Sequence, residues 1–449
     1  MPVDVLASLF GVLSIFRPAL TRPSFANFLV IAVGWIQTYG THAVTEALVV
    51  TGVTGRRHHE AFHRFFSRGT WDPDAIGHLL FGRLLHFIGD GPVQIVVDDT
   101  LAPKKGPHVY GIGSHVDAVR STKKHLAFCF GHCWVVLSVL IRVPFSRRRT
   151  WALPVLFRLY RNLNDCKKHR AKYAKKTELA REMIDLLVSW AAERRVELAA
   201  DCAYCNDTVT RGLARTVVLF GSMRPDAVLT ELPQSKVAGT SGRPCKRGKA
   251  VPKPQAIAKD KRRPWQTGTA VLYGRKTKVQ YKTVCAQWYR ACGTGLLRIV
   301  IVATDHGAIP FRVFFCTDAT VDVVRLLETY AGRWGIEVFF REAKQLLGFA
   351  DSCARKQAAV LRVAPFAGLL YTTLVIWFLE GAYKSPLAVP PLRPWYQHKM
   401  GLCFADVLRA AQRALVGLDI LDPANDIKYL QKPVELSRIP DIPHQRRVA

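Results

Sequence analysis

Residues 93–100 read VQIVVDDT. The run is apolar apart from Gln94 and shows no alternation, the pattern of a strand buried on both faces. It ends on Asp98 and Asp99. Two carboxylates at the end of such a strand are costly to bury without a cation, although an Asp pair also closes strands as plain turn chemistry. Residues 196–205, VELAADCAYC, have the same build and end in Asp201.

Between the two acid-bearing strands lie a Gly- and Lys-rich loop and further apolar strands. The loop contains Lys104 and Lys105 and is suited to lie along a phosphate backbone. Residues 126–145 form two strand-like runs around Gly131 and His132, and residues 177–195 form an amphipathic helix opening on Thr177 and Glu178. After Asp201 come a short helix and the strand TVVLFGS. Three strands, a helix, an acid-bearing strand, a helix and another strand is the order of a ribonuclease-H-like α/β core. In that order the first and fourth strands are neighbours, which brings Asp98 and Asp201 together.

A third stretch, TYAGRWGIEVFFREAK (residues 329–344), belongs to one predicted amphipathic helix running from Ala319 or Thr320 to about Gly348. Gly332 and Gly335 each weaken it by roughly 1 kcal/mol relative to Ala. At about 100° per residue, Tyr330, Arg333, Glu337, Arg341 and Lys344 fall within an arc of roughly 80°. One acid among three cations and a tyrosine is more than i,i+4 ion pairing on a solvated face needs. A metal-binding Glu flanked by phosphate-gripping cations requires that arrangement.

Composition sets the class. The 449 residues carry 64 Lys and Arg against 34 Asp and Glu, a net charge of +30, with 49% hydrophobic residues. That excludes a disordered chain, and so large a core argues against a simple ribosomal or histone-like binder. A large basic globular protein points to an enzyme acting on nucleic acid. The eleven Cys are scattered, which fits a reducing compartment and core thiols; neither Cys202–Cys205 nor the Cys129, His132, Cys133 group has a second half at zinc-finger spacing. The N-terminus lacks a basic signal region, and the apolar stretch Phe366–Leu379 is short for a membrane span. The expectation is a cytoplasmic protein without a membrane segment.

The flanking regions are read from pattern alone. Residues 1–90 form a helical domain in which Ser24 and Thr41 cap helices, and a turn before Arg56, Arg57, His58 and His59 resembles a helix-turn-helix reader of DNA. The catalytic core occupies 91–222 and 296–382. Residues 223–295 interrupt it with a basic β-rich insertion containing Arg243. There Lys276, Lys278 and Lys282 share one strand face and Val279 and Tyr281 the other, so the lysine face is expected on DNA. Residues 383–449 add a Pro-rich turn, a helix from Asp406 to Val416 and a polar tail.

Tyr330-x2-Arg333-x3-Glu337-x6-Lys344 resembles the Y-R-E-K motif of bacterial insertion-sequence transposases in the DDE superfamily. VVDDT resembles the first-acid motif of that group, LAADCAY the second, and GRWGIEVFFREAKQLLG a common form of the third. The resemblance spans roughly residues 93–350. It implies a bacterial, nucleoid-associated transposase that binds element ends, cleaves DNA and joins 3′-hydroxyl ends to target DNA. It also implies Asp98, Asp201 and Glu337 as ligands of two Mg²⁺ or Mn²⁺ ions, and Tyr330, Arg333 and Lys344 as binders of the DNA end; Arg341, a cation on the same helical stripe, is expected on the DNA as well. Asp98 is favoured over Asp99 as the first acid because some members keep an acid-x-Thr pattern. Members often pass through a hairpinned end with a flipped base held by an aromatic residue, for which Trp265 and Trp288 are candidates. The expected partners are double-stranded DNA and a second copy of the chain. A nuclease that cuts without strand transfer, or a non-catalytic DNA-binding descendant, are the alternative readings.

Overall fold

A computed structural model describes residues 4–422 except 107, 123, 148, 235–242, 244, 305–309, 389–394 and 396–400. Much of the Pro-rich turn and the polar tail lie outside the described residues. The architecture is mixed α/β: one large sheet, mostly antiparallel, with helices packed on it.

The chain up to Ile88 is helical, with α1 (Val5–Leu13), α2 (Arg22–Gln37), α3 (Val44–Val50), α4 (Glu60–Ser67) and α5 (Pro73–Ile88). Two starts differ from the sequence expectation. Thr21 rather than Ser24 caps α2, its Oγ1 accepting from the Ser24 amide, and α3 opens at Val44 without a side-chain cap. Pro23 in the first turn of α2 explains the shift, since its fixed φ suits that turn and its missing N–H is not needed there.

The sheet begins with β1 (Val93–Pro103), β2 (Gly113–Val116), β3 (Phe128–Arg142) and β4 (Thr150–Tyr160). Helices α6 (Leu163–Lys168) and α7 (Lys176–Trp190) follow, then β5 (Val196–Ala200), α8 (Asp207–Thr210) and β6 (Val217–Met223). Next come β7 (Leu229–Thr230), β8 (Ala250–Val251), α9 (Pro254–Lys259), β9 (Gln266–Leu272), β10 (Arg275–Gln287), α10 (Tyr289–Cys292), β11 (Leu296–Ala303) and β12 (Phe311–Cys316). The hydrogen-bonded order is β2-β3-β1-β5-β6-β12-β11-β10-β7-β8, with β4 on β3 and β9 on β10. Among the described strands only β1, β5 and β6 run parallel to a neighbour. The strands of 223–295 continue this same sheet through the β10–β11 pairing.

The expected single helix at 319–348 is two helices, α11 (Val323–Gly332) and α12 (Trp334–Leu346). Asp322 starts the first, its carboxylate accepting from the amides of Val324 and Arg325. The break falls at Arg333, where Arg333 N–H bonds Tyr330 O and Ile336 N–H bonds Arg333 O, three-residue steps that tighten the turn. Gly335 lies against β4: a Cβ there would meet Thr150 O at 2.8 Å. The glycine that looks like a blemish in the sequence permits the helix to approach the strand.

The last described helices are α13 (Gln357–Leu379) and α14 (Phe404–Ala414). Helix α13 is 23 residues long, so it is long and apolar enough to cross a membrane, but 89% of its most apolar window is buried inside the protein. Its Phe366 packs against Phe28, Trp35, Phe65 and Phe66 of the N-terminal helices. The larger of two hydrophobic clusters therefore joins α1–α5, α13 and α14 to the sheet. All eleven cysteines are free thiols.

Candidate active site

Pairing of β1 with β5 sets Val97 opposite Ala200, so the next residue on one strand is Asp98 and on the other Asp201. Helix α12 crosses this end of the sheet, and the break before it turns Arg333 inward. Its Nη1 donates to Asp98 Oδ2 at 3.0 Å and its Nη2 to Glu337 Oε1 at 2.6 Å. Arg333 is thus bound to Asp98 across 235 residues of sequence and to Glu337 one turn away. Its side chain is only 14% exposed. Burial opposes its charge, but Tyr330, Asp98 and Glu337 around it hold the guanidinium firmly protonated.

Asp98 is held up to about 7, first by burial and then by repulsion from Asp201, with Arg333 and the Asp99 amide acting the other way. Asp201 is fixed by the turn closing β5, its Oδ1 accepting from Ala203 N–H at 3.0 Å and Tyr204 N–H at 3.3 Å. Asp99 points elsewhere. It accepts from Lys176 Nζ at 2.6 Å and from the Tyr204 hydroxyl at 2.8 Å, tying β1 to α7 and to the turn after β5. The adjacent acids therefore face opposite sides of the sheet, as alternation on a strand dictates.

The rest of the stripe separates into different environments. Tyr330 packs on Phe314 with ring centroids 4.7 Å apart, and burial raises its hydroxyl above the usual range. Arg341 is exposed, whereas Lys344 is partly buried and lowered by that burial, near Cys129 and Asp117. Lys276 and Lys278 are exposed on β10, and Lys105 and Arg243 are exposed in loops.

Three expectations need correction. Lys282 is buried, because α9 covers its end of the β10 face; its ammonium donates to the carbonyls of Ile257, Ala258 and Asp260 at the end of that helix. Lys104 is spent in a similar way on the carbonyls of Ala350 and Ser352. Trp265 lies beneath Lys282 and Trp288 packs edge-on against Phe315, so both lean on the core rather than offering a free ring face.

Residues passed over in the sequence line a cleft of about 360 Å³ beside α12. Arg142, Arg147 and Arg149 from the β3–β4 turn meet Arg341, with the exposed aromatics Tyr273 and Trp334 at its wall. Their rings stand edge to face, centroids 6.1 Å apart. Tyr273 and Gly274 both have positive φ, 51° and 79°, as the two central residues of a tight hairpin turn between β9 and β10. The Tyr-Gly pair between two strand-like runs was the available signal.

Among the described residues no group of three His, Cys, Asp or Glu side chains is arranged to hold a metal ion. Arg333 stands between Asp98 and Glu337. The donor set still suits a hard cation: it is all carboxylate oxygen, and Asp98 is a partly buried acid whose charge is opposed by a second acid and only partly offset by the arginine.

The sequence matches the DDE superfamily endonuclease family over residues 16–290, well over half of the chain. The protein belongs to that family, whose wider superfamily generally uses divalent metal ions. The match contains Asp98 and Asp201 and stops before Glu337. No curated protein matches. A solved structure of a piggyBac transposase synaptic complex with hairpin DNA is similar at a TM-score of 0.42 and 9% identity, covering 92% of this chain and 74% of that one.

Proposed function

We propose that the protein is a DNA transposase with a ribonuclease-H-like centre in which Asp98, Asp201 and Glu337 hold two Mg²⁺ or Mn²⁺ ions. The observation that supports this most is the convergence on Arg333: acids from β1 and α12 share one guanidinium, and Asp201 stands close enough to raise Asp98. A structural ion pair has no need of a third carboxylate beside it. When bound, such ions supply Lewis acidity at the attacked phosphoryl oxygen and lower the pKa of the attacking water.

In the first step water adds to phosphorus at the element end, the P–O3′ bond breaks, and the 3′-hydroxyl is released with a 5′-phosphate on the other fragment. In the second, that hydroxyl attacks a target phosphodiester and displaces a target 3′-hydroxyl, so the number of phosphodiester bonds is conserved. Arg333 neutralises the acid cluster before DNA arrives. Arg341, Lys344, Lys276, Lys278, Lys105 and Arg243 grip phosphates, and Tyr330 orients the end beside Arg333. The arginine-lined cleft with Tyr273 and Trp334 extends this cationic surface next to the centre. The active species on DNA is a homodimer, which lets two ends be joined together.

The test is incubation of the protein with a labelled duplex copied from the genomic DNA flanking its gene, with Mg²⁺ and a target plasmid. Cleaved ends followed by joined product support transposition. Cleavage without joining under the same conditions leaves only a nuclease.

A further inference from the structure

Strands β2 and β3 form a hairpin that runs out past the end of the acid-bearing strand pair. The register of β1 on β3 places Asp98 opposite Val136, Thr100 opposite Trp134 and Ala102 opposite His132. Alternation then carries the same face of β3 on to Phe130 and Phe128. Trp134 and His132 are buried, but beyond them the face emerges from the body: Phe130 is 50% and Phe128 62% exposed. Val116, directly opposite Phe128, is 51% exposed, and Leu126 and Val119 near the tip are 61% and 95% exposed. Few soluble proteins leave such a row of apolar side chains in water without a partner.

The tip is a built structure. Asp117 N–H bonds Ala127 O, and the Asp117 carboxylate accepts from the amides of Val119 and Arg120. This is the only acid between Lys104 and Phe130, and it is turned into the loop. Arg120 and Lys124 are exposed beside the apolar row. Cations with apolar residues and no free acid match a polyanion with an apolar interior. A second copy of the hairpin would set cation against cation. From Val136 to Phe130 is about 20 Å of strand, or roughly six base-pair steps from the acids.

Resting on the transposase reading above, we infer that the β2–β3 hairpin is a wedge: Phe128 and Phe130, backed by Val116, insert between base pairs of the bound duplex a few steps from the cleavage site while Arg120 and Lys124 hold the phosphates. Apolar side chains partly unstack base steps in this way and kink the helix. The hairpin would thereby open the duplex that the acids cut.

The test uses the full-length protein and the duplex copied from the gene's flanking DNA, with 2-aminopurine placed in turn at each step near the cut. Wild type should raise the fluorescence at one or two adjacent steps. A Phe128→Ala, Phe130→Ala double variant should bind within a few-fold of wild type, lose that rise, and cut the paired duplex about tenfold or more slowly. A duplex mismatched at the same step should restore its rate. An unchanged 2-aminopurine signal for a wild type that binds and cuts would overturn the wedge and leave the transposase reading standing. So would a double variant that cuts paired DNA normally, or one whose sole defect is lost self-association in sedimentation. A wild type that neither binds nor cuts this DNA would overturn the transposase reading, and the wedge with it.

Discussion

Asp98 and Asp99 are neighbours with opposite surroundings, and their substitutions should separate accordingly. Asp98→Ala, Asp201→Ala and Glu337→Ala should each abolish strand cleavage while leaving DNA affinity within a few-fold of wild type, read by gel shift and cleavage of one labelled duplex. Asp99→Ala strips Lys176 and Tyr204 of their shared acceptor. It should lower stability by about 1–3 kcal/mol in urea unfolding while retaining cleavage. A cleavage-dead Asp99→Ala beside an active Asp98→Ala would exchange their roles. Motif spacing favours Asp98; in the structure Asp98 faces Arg333 while Asp99 faces Lys176 and Tyr204, a difference that no linear reading contains. A second residue-scale effect lies at His132, buried with its Nε2 on Tyr110 O and pushed down to about 4 chiefly by burial. Its folded pKa is below the unfolded 6.5, so the unfolded chain binds the proton more readily and stability falls as pH drops from about 6.5 to 4. His132→Gln keeps a donor for Tyr110 but cannot charge. Its unfolding free energy should lose less than wild type between about pH 7 and pH 5; equal losses would remove His132 from the acid sensitivity.

At the scale of elements, Gly332 at the end of α11 and Gly335 in α12 should behave differently. Gly335→Ala forces a Cβ to 2.8 Å from Thr150 O and 3.2 Å from Ala152 N, both backbone atoms. It should cost about 1–3 kcal/mol in unfolding and displace Glu337. Gly332→Ala meets nothing nearer than 3.5 Å and should be neutral or stabilising by up to about 1 kcal/mol. The reverse order would show that α12 does not lie on β4. The sequence periodicity revealed the helical stripe but not the break at Arg333, because the stripe runs on through it; the glycines on either side were the local signal. Strand β10 behaves likewise. Period-two alternation put Lys276, Lys278 and Lys282 on one face, and only the covering α9 buries the last of them. Replacing Lys276 and Lys278 with Ala should lower the log–log salt slope of DNA binding by roughly 0.9 for each phosphate that is no longer neutralised. Lys282→Ala should leave the slope alone and reduce thermal stability.

Across the whole molecule, the acid-bearing strands, their order and the carboxylate at the helix were legible because each announces itself locally, as an apolar run ending in Asp or a cationic stripe with one Glu. The packing of α1–α5 on α13 was not legible, since a run of amphipathic helices does not say which distant helix it faces; residues 1–90 read as a separate unit yet share one core with 357–379. The arginine cleft escaped for the same reason, being assembled from the β3–β4 turn, a hairpin tip and α12. The proposed centre joins acids from β1, the turn after β5 and α12. It is tested most directly by single-turnover cleavage of the flanking-DNA duplex in Mg²⁺, comparing wild type with Asp98→Ala, Asp201→Ala and Glu337→Ala at saturating protein. The account predicts cleavage that stops in EDTA and is absent from all three variants, each still binding the duplex. Cleavage by any of the three at the wild-type rate, or wild-type cleavage that persists in EDTA, would contradict it.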